Sequence, residues 1–585
     1  MRGRVSAALV TGVLVVTIGS GVALALPVAA ASRAAAPSRA AAPSRMPAEP
    51  LSPKMRLVPQ LTRGRTTQAA ATPQMAASSA PCNSAWNTVA SPNVGAARNN
   101  LNGIAAVAPN DVWSVGTYIN GSSVFQTLAE HWDGSAWSVS PTPNVGPGNN
   151  LFIAVTAIGP QDVWAVGYWR TGNSSTAAQP LTEHWNGNGW TIVPTPLLPN
   201  SSSLLDSVSA DASNDVWAVG ISIDVPTTNL GPRGRPVVLR WNGASWSVAA
   251  APVPQVQTGG LDFSGLNGVK VLTANDVWVV GDGADFTGNT QVSPDTAFSN
   301  HWNGSSWSSV AVPPHGNGDF LIDVQGTAND LWAVGGQGQA PSSTSDNVLI
   351  EHYTGTSWTE VPGVTPDLSA NLFALAYLAG NNVYAVGASA YANPSTNAEL
   401  DHALIERWDG SNWNLVPTTP ASQNDDLFAI AAISASDVWA AGFMTFNGYA
   451  QTLTENFCVP PAVTNVTPSS GNATDTVVIT GSGFSRAIDV EFGATPAFSF
   501  HVDSDTQITA VTPAHKAGTV DIRVTVQGTS ATSSADQFTY LTSRSGAAGG
   551  SGMPFPVGRT TAPPPLPTPS PPHPRGIARA APIPI

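Results

Sequence analysis

Asp111-Val112-Trp113-Ser114-Val115-Gly116 decides the reading of this chain, because the phrase returns. Asp-Val-Trp-x-Val-Gly begins again at Asp162, Asp215 and Asp276, and varied forms begin at Asp330 (Leu-Trp), Asn382 (Val-Tyr) and Asp437 (Val-Trp-Ala-Ala-Gly). The seven occurrences lie 51 to 61 residues apart. A second phrase follows each one: an apolar pair, an aromatic, a turn and a Trp, as in Glu130-His131-Trp132-Asp133-Gly134-Ser135-Ala136-Trp137. Each repeat resolves into four short strands. An apolar run such as Leu427 to Ile433 is strand a, and the Asp-Val-Trp phrase is strand b, entered through an Asn-Asp or Ser-Asp turn. Strand c ends at the aromatic, where Asp-Gly or Asn-Gly makes a tight hairpin into strand d. Proline then stops further pairing.

Four strands about every 50 residues is the pattern of propeller blades. The expectation is an all-β chain with a seven-bladed β-propeller over 81–459.

The seventh repeat is cut in half. Strand c runs to Glu455-Asn456-Phe457-Cys458 and then leaves for Pro460-Pro461. The missing strand d stands at the other end of the region, in Cys82-Asn83-Ser84-Ala85-Trp86-Asn87-Thr88-Val89. Aligned on Trp132 to Trp137, Phe457 falls on Trp132, Trp86 on Trp137, and both Cys458 and Cys82 on Asp133. The N-terminal strand is therefore expected to complete the last blade, with a Cys82–Cys458 disulfide across the break. Closure removes two exposed strand edges.

Residues 460–541 change style. Pro461-Ala462-Val463-Thr464-Asn465-Val466-Thr467-Pro468 leads into Val477-Val478-Ile479-Thr480-Gly481-Ser482-Gly483-Phe484, Val490-Glu491-Phe492-Gly493 and the alternating Val520 to Val526. Short strands with Gly and Pro turns over about 80 residues predict an immunoglobulin-like sandwich. At these residues the segment resembles the IPT/TIG family, which implies an adhesion, spacer or partner-contact module. The repeats resemble kelch-type rings in length and strand order, although within the second-strand phrase the Gly-Gly doublet occurs only at Gly335-Gly336.

The flanks carry little chemistry. Arg2 and Arg4 precede an apolar run from Ser6 to Ala31 with Ala-x-Ala sites ending at Ala25 and Ala31, which reads as a signal peptide over 1–31 or, if uncleaved, a membrane anchor. Residues 32–80, rich in Ala, Pro, Ser and Arg, and 542–585, with a proline run, are expected to be disordered. Charged residues are only 10% of the chain. Between residues 81 and 541 there are ten Lys and Arg against 36 Asp and Glu. Such an acidic body repels phosphate backbones and excludes nucleic acid as a partner. An oxidising, extracellular or cell-surface setting fits the paired cysteines.

Eighteen of the 19 tryptophans occupy repeat positions, as packing between sheets requires; Trp169 alone is off the pattern. His131, His184, His301 and His352 recur one per blade and cannot converge on one ion, so no metal centre is expected from them. His315 and His402 read as isolated loop residues. The Asp-Gly hairpins resemble the Asp-box turns of sialidase-type propellers with one residue fewer, but the arginines that such an enzyme needs are scattered. A galactose-oxidase-like copper site would need a spare cysteine. The remaining candidates are amides and acids just before strand a: Asn100, Asn150, Asp319, Asn371 and Asp426. Around a propeller mouth they could hydrogen-bond a sugar or hold calcium. The sequence thus points to a binding or adhesion protein for a polysaccharide or extracellular protein rather than an enzyme. The alternative is a secreted carbohydrate-active enzyme with its acids at Asp282, Asp285 and Asp295.

Overall fold

The computed structural model describes residues 82–542 apart from short loop segments (95–97, 173–176, 199–200, 225–232, 253–262, 288–289, 292, 317, 339–345, 393–398, 419, 423 and 527), together with a strand pair, Ala7–Val10 and Val13–Val16. The expectations for 32–80 and 543–585, and most of the leader, lie outside the described residues. Among the described residues there is no helix long and apolar enough to cross a membrane.

The repeats form five separate four-stranded antiparallel sheets and one eight-stranded sheet, whose two four-stranded halves join through a single parallel pair, Gly234 with Phe263; each half is counted here as a sheet of its own, in chain order. Sheet 1 comprises Asn99–Ala108, Asp111–Ile119, Phe125–Trp132 and Trp137–Val139. Sheets 2 to 6 repeat this order from Asn150, Ser201, Phe263, Asp319 and Ser369. Sheet 7 takes three strands, Asp425–Ser434, Asp437–Phe446 and Tyr449–Cys458, from the end of the region and its fourth, Ala85–Val89, from the beginning. The first strands pack in sequence from sheet 1 to sheet 7, and that of sheet 7 packs on that of sheet 1. The result is a closed, propeller-like ring.

The hairpins show why the sequence repeats as it does. Asp133 Oδ1 accepts from the backbone N–H groups of Ser135 and Ala136 at 2.8 and 2.9 Å, and Asn186, Asn242, Asn303 and Asp409 do the same in their sheets. The following residue is Gly in six sheets, with φ between 88° and 97° at each, a conformation a side chain would strain. In sheet 7 the hairpin is rebuilt from two ends. Phe457 faces Trp86, the Ser84 N–H donates to the Cys458 carbonyl, and the Cys82–Cys458 disulfide, with a Cα–Cα distance of 4.7 Å, replaces the missing peptide link.

Aromatic side chains fill every seam. The Trp of each second strand meets the two aromatics flanking the next sheet's hairpin: Trp113 with Trp185 and Trp190, and so on to Trp439 with Trp132 and Trp137. Tyr384 takes this part towards Phe457 and Trp86. Trp169, off the repeat pattern, is half-buried against the seam between sheets 1 and 2.

The recurrent histidines complete a buried-edge cassette. His131, His184, His301 and His352 each place Nε2 at 2.7–2.8 Å from the acid that opens the second strand, while stacking on the Trp two residues beyond it at 3.9–4.5 Å. Arg240 does the same work in sheet 3, on Asp215 and Trp217, and Arg407 in sheet 6, on Asn382 and Tyr384.

After Cys458 the chain builds two facing sheets. One holds Ala462–Thr467, Thr476–Ser482, Gln507–Val511 and Ser499–Ser504; the other holds Ser470–Gly471, Gln537–Tyr540, Gly518–Thr525, Asp489–Phe492 and Thr495–Pro496. Val477, Ile479, Phe484, Val490, Phe492, Ile508, Ile522, Val524 and Phe538 are fully buried between them. The alternation seen from Val520 to Val526 is thus the inward face of a sandwich strand.

Candidate binding site at the head of the inner strands

Every first strand carries a bulge at one place, so that Asn102, Ile153, Asp206, Asn267, Ile322, Phe373 and Phe428 each drop out of the ladder. A bulge re-aims the side chain it frees. Ile153, Ile322, Phe373 and Phe428 belong to one buried cluster with members from all seven sheets, which can meet only where the inner strands converge. The axis is therefore floored by apolar side chains. Asn102 and Asn267 instead donate to the Phe152 and Leu321 carbonyls of the next inner strand, at 2.7 and 2.8 Å. The bulges were not legible from the sequence, since the extra residue differs from sheet to sheet.

All five expected mouth residues sit at the head of inner strands, and each is at most 8% exposed. Counted back from the bulge, they occupy two registers. Asn150 and Asp319 stand one residue earlier than the others and clasp the preceding crossover. Asn150 Oδ1 accepts from the Val145 N–H at 2.8 Å, and Asp319 Oδ2 from the His315 N–H at 2.7 Å. Asn99 and Asp425 hold the equivalent clasps on Val94 and Ala421. Asn150 and Asp319 are thus tied to the crossover, Asp319 through Oδ2 alone, since its Oδ1 is buried without a hydrogen-bond partner.

Asn100, Asn371 and Asp426 form the second register. Asn100 joins Asn102 at 2.6 Å and Thr117 at 3.1 Å. Asn371 Nδ2 reaches Asp346 at 3.5 Å, whereas its Oδ1 is buried with no hydrogen-bond partner. Both carboxylate oxygens of Asp426 are in the same condition. Burial, reinforced by Asp401 and Asp425 and opposed by Arg98, holds the Asp426 carboxyl well above the usual carboxylate range. Burial lowers the Arg98 guanidinium to about 10, against the attraction of Asp426.

Two histidines lie near this rim and neither is isolated. His402 falls inside the strand Glu399–Trp408, stacks on Tyr391 at 4.0 Å and reaches Asp425 at 3.5 Å. His315 bridges Glu351 through Nε2 and Glu360 through Nδ1, the latter at 3.0 Å.

Sequence reasoning also missed a set of acids. The residue before the cassette position is Glu130, Glu183, Glu351, Glu406 or Glu455 in five sheets, and all five are buried. Desolvation raises Glu183 to about 9, Glu455 to about 8, and Glu351 and Glu406 to about 7. Two of them engage the crossovers: Glu406 Oε2 accepts from the Val364 N–H at 3.0 Å, and Glu351 meets His315. The signal was present as a recurrent Glu at an inward position of strand c.

The acids of the enzymatic alternative are dispersed in role. Asp282 is buried and accepts from Asn267 at 2.8 Å, Asp285 is tied through its N–H to Ser293, and Asp295 accepts from Gln291 at 3.2 Å. Among the described residues no three His, Cys, Asp or Glu side chains converge to hold a metal ion. Both cysteines are in the disulfide. A shallow groove lined by Ile158 to Asp162 and Ser213 lies on the other face, at the a–b turns.

Residues 461–540 match the IPT/TIG domain family. No curated protein matches the chain in sequence. Among solved structures, YCF48 bound to D1 peptide is similar at 14% identity and a TM-score of 0.37, covering 64% of this chain and 97% of its own. A fungal alcohol oxidase of the AA5 family, in complex with copper, is similar at 11% identity and a TM-score of 0.38, covering 76% and 98%. A polysaccharide lyase, ulvan lyase, bound to -[GlcA(1-4)Rha3S]-, is similar at 10% identity and a TM-score of 0.40, covering 61% and 94%. At these values none of them transfers an activity to this chain.

Proposed function

We propose that the chain is an extracellular or cell-surface binding protein, a seven-bladed ring of kelch-like repeats that presents the head of its inner strands to a polysaccharide or protein ligand. The observation that carries this reading is the set of unpartnered polar atoms there. Asn371 Oδ1 and the Asp426 carboxylate are buried without hydrogen-bond partners, beside Arg98 and above an apolar floor. Buried polar atoms are ordinarily satisfied, and a polar rim over an apolar base is the composition of a ligand site. The disulfide supports the compartment, since such links persist where the surroundings are oxidising. The sandwich supports the direction of presentation, because it meets sheet 7 at Ser434 and Ser436, the opposite end of the inner strand from Asp425.

The test is incubation of the purified full chain with a panel of cell-wall and plant polysaccharides, reading retention and release of reducing ends together. Retention without released sugar is the expected result. Sugar release that survives repurification and disappears with one variant among Asp282→Asn, Asp285→Asn and Asp295→Asn would replace the binding protein with an enzyme.

A further inference from the structure

In six sheets the residue that opens the second strand is met by a histidine or arginine from the third strand of the same sheet: His131, His184, Arg240, His301, His352 or Arg407. Sheet 7 departs from this. Its equivalent residue is Asn456, whose Nδ2 donates to Asp437 at 3.1 Å but brings no charge. The basic side chain arrives instead from the sandwich. Arg486 donates through Nε to Asp437 Oδ2 at 2.6 Å, through Nη2 to Asp437 Oδ1, and through Nη1 to Asn456 Oδ1 at 3.2 Å. Its guanidinium lies 5.0 Å from the centre of the Trp439 ring, the place that Arg240 takes over Trp217 at 4.7 Å. The pair is nearly sealed, with side-chain exposures of 9% for Arg486 and 2% for Asp437.

Neighbouring contacts keep the arginine in place. Ser436 Oγ donates to the Asp505 carboxylate, and Ser485 Oγ bonds both Asp505 and, at 3.0 Å, Ser434 Oγ. Gly483, with φ of 73°, lets this segment close on the connector; a Cβ there would stand 2.9 Å from the Val459 carbonyl oxygen. A planar fork that binds both carboxylate oxygens and stacks on an aromatic is what arginine supplies and lysine does not.

We infer that sheet 7 presents an arginine socket, formed by Asp437, Trp439 and Asn456, whose fitting partner is the sandwich of the same chain. The ring and sandwich are one rigid unit, and the sandwich is a component of the last sheet rather than a module on a flexible arm. The socket fixes the direction in which the head of the inner strands faces relative to the sandwich.

The test uses the full chain with nitroxide labels at Ser138→Cys and Ser499→Cys, both at exposed positions. The unmodified socket is expected to give one narrow inter-label distance. Arg486→Met should broaden that distribution and lower the melting temperature by about 3 °C or more, because one buried charge loses its partner. Adding Asn456→His to Arg486→Met returns from within the sheet the bonded and stacked ring that four other sheets use, so the melting temperature should recover while the distribution stays broad. Should Arg486→Met fail to fold, Arg486→Lys takes its place with the same two readouts. A narrow distance and an unchanged melting temperature in the substituted chain would overturn the inference.

Discussion

Phe457 stands directly opposite Trp86 in an antiparallel ladder, although one ends the repeat region and the other begins it. Both pack against Tyr384 of the preceding sheet, so the joint is buried on the same terms as an unbroken hairpin. The Cys82–Cys458 disulfide beside them spans 376 residues of sequence. In the chain-entropy account, closing a loop of that size contributes on the order of 5 kcal/mol. Cys458→Ser is therefore expected to lower the denaturant midpoint substantially with the ring still able to form. Equilibrium unfolding in urea, with and without reductant, measures this; equal midpoints for the oxidised protein and the variant would refute the closure role.

The buried glutamates set a pH dependence. Their folded-state values of about 7 to 9 lie above the usual carboxylate range, so the native state holds protons that the unfolded chain releases. Their contribution is complete below about pH 4.5 and is lost as pH rises through 7 to 9. The melting temperature is expected to fall steadily from pH 5 to pH 9. Glu183→Gln should flatten the curve at its alkaline end. A melting temperature that rises over this interval would show that other groups dominate.

The cassette predicts which substitutions a sheet tolerates. His352→Ala removes a stacked ring from Trp332 and a bond to Asp330, at a cost of about 1–2 kcal/mol. His352→Arg should recover most of that loss, because Arg240 and Arg407 occupy the same position elsewhere. Urea titrations of the two variants decide it, and an arginine variant no better than alanine would count against a shared role.

The two registers at the head of the inner strands predict opposite phenotypes. Asn371→Ala removes an acceptor that has no partner in the protein, along with a long Nδ2 contact to Asp346, and should weaken retention on a bound polysaccharide about tenfold, or roughly 1.4 kcal/mol, with a smaller fall in melting temperature than Asn150→Ala. Asn150→Ala releases the Val145 clasp and should lower the melting temperature while sparing affinity. Comparing the pair by affinity chromatography and calorimetry separates ligand contact from loop support.

Much of the ring was legible because its signals are local and periodic. Asp-Gly and Asn-Gly state a hairpin by chemistry alone, and two half-phrases with matching cysteines state a split sheet. The site was less so. Asn100 and Asn150 look equivalent in the sequence, each ending an Asn-Asn pair, yet counted from Trp86 and Trp137 the second pair stands one residue earlier, which puts Asn150 in the clasp and Asn100 beside the bulge. Arg486 lies outside the repeats altogether, and only the absence of a histidine or arginine at Asn456 marks where it would be needed.

The disulfide has a further consequence for survival under proteolysis. With residues 82 and 458 joined, the repeat region is a covalent macrocycle from which both flanks leave at one point. A protease that cuts one surface loop opens the circle without detaching any sheet. The nicked molecule should run as one band on a denaturing gel and separate into two only after reduction, so that a single cleavage, fatal to many linear repeat proteins, leaves this one intact.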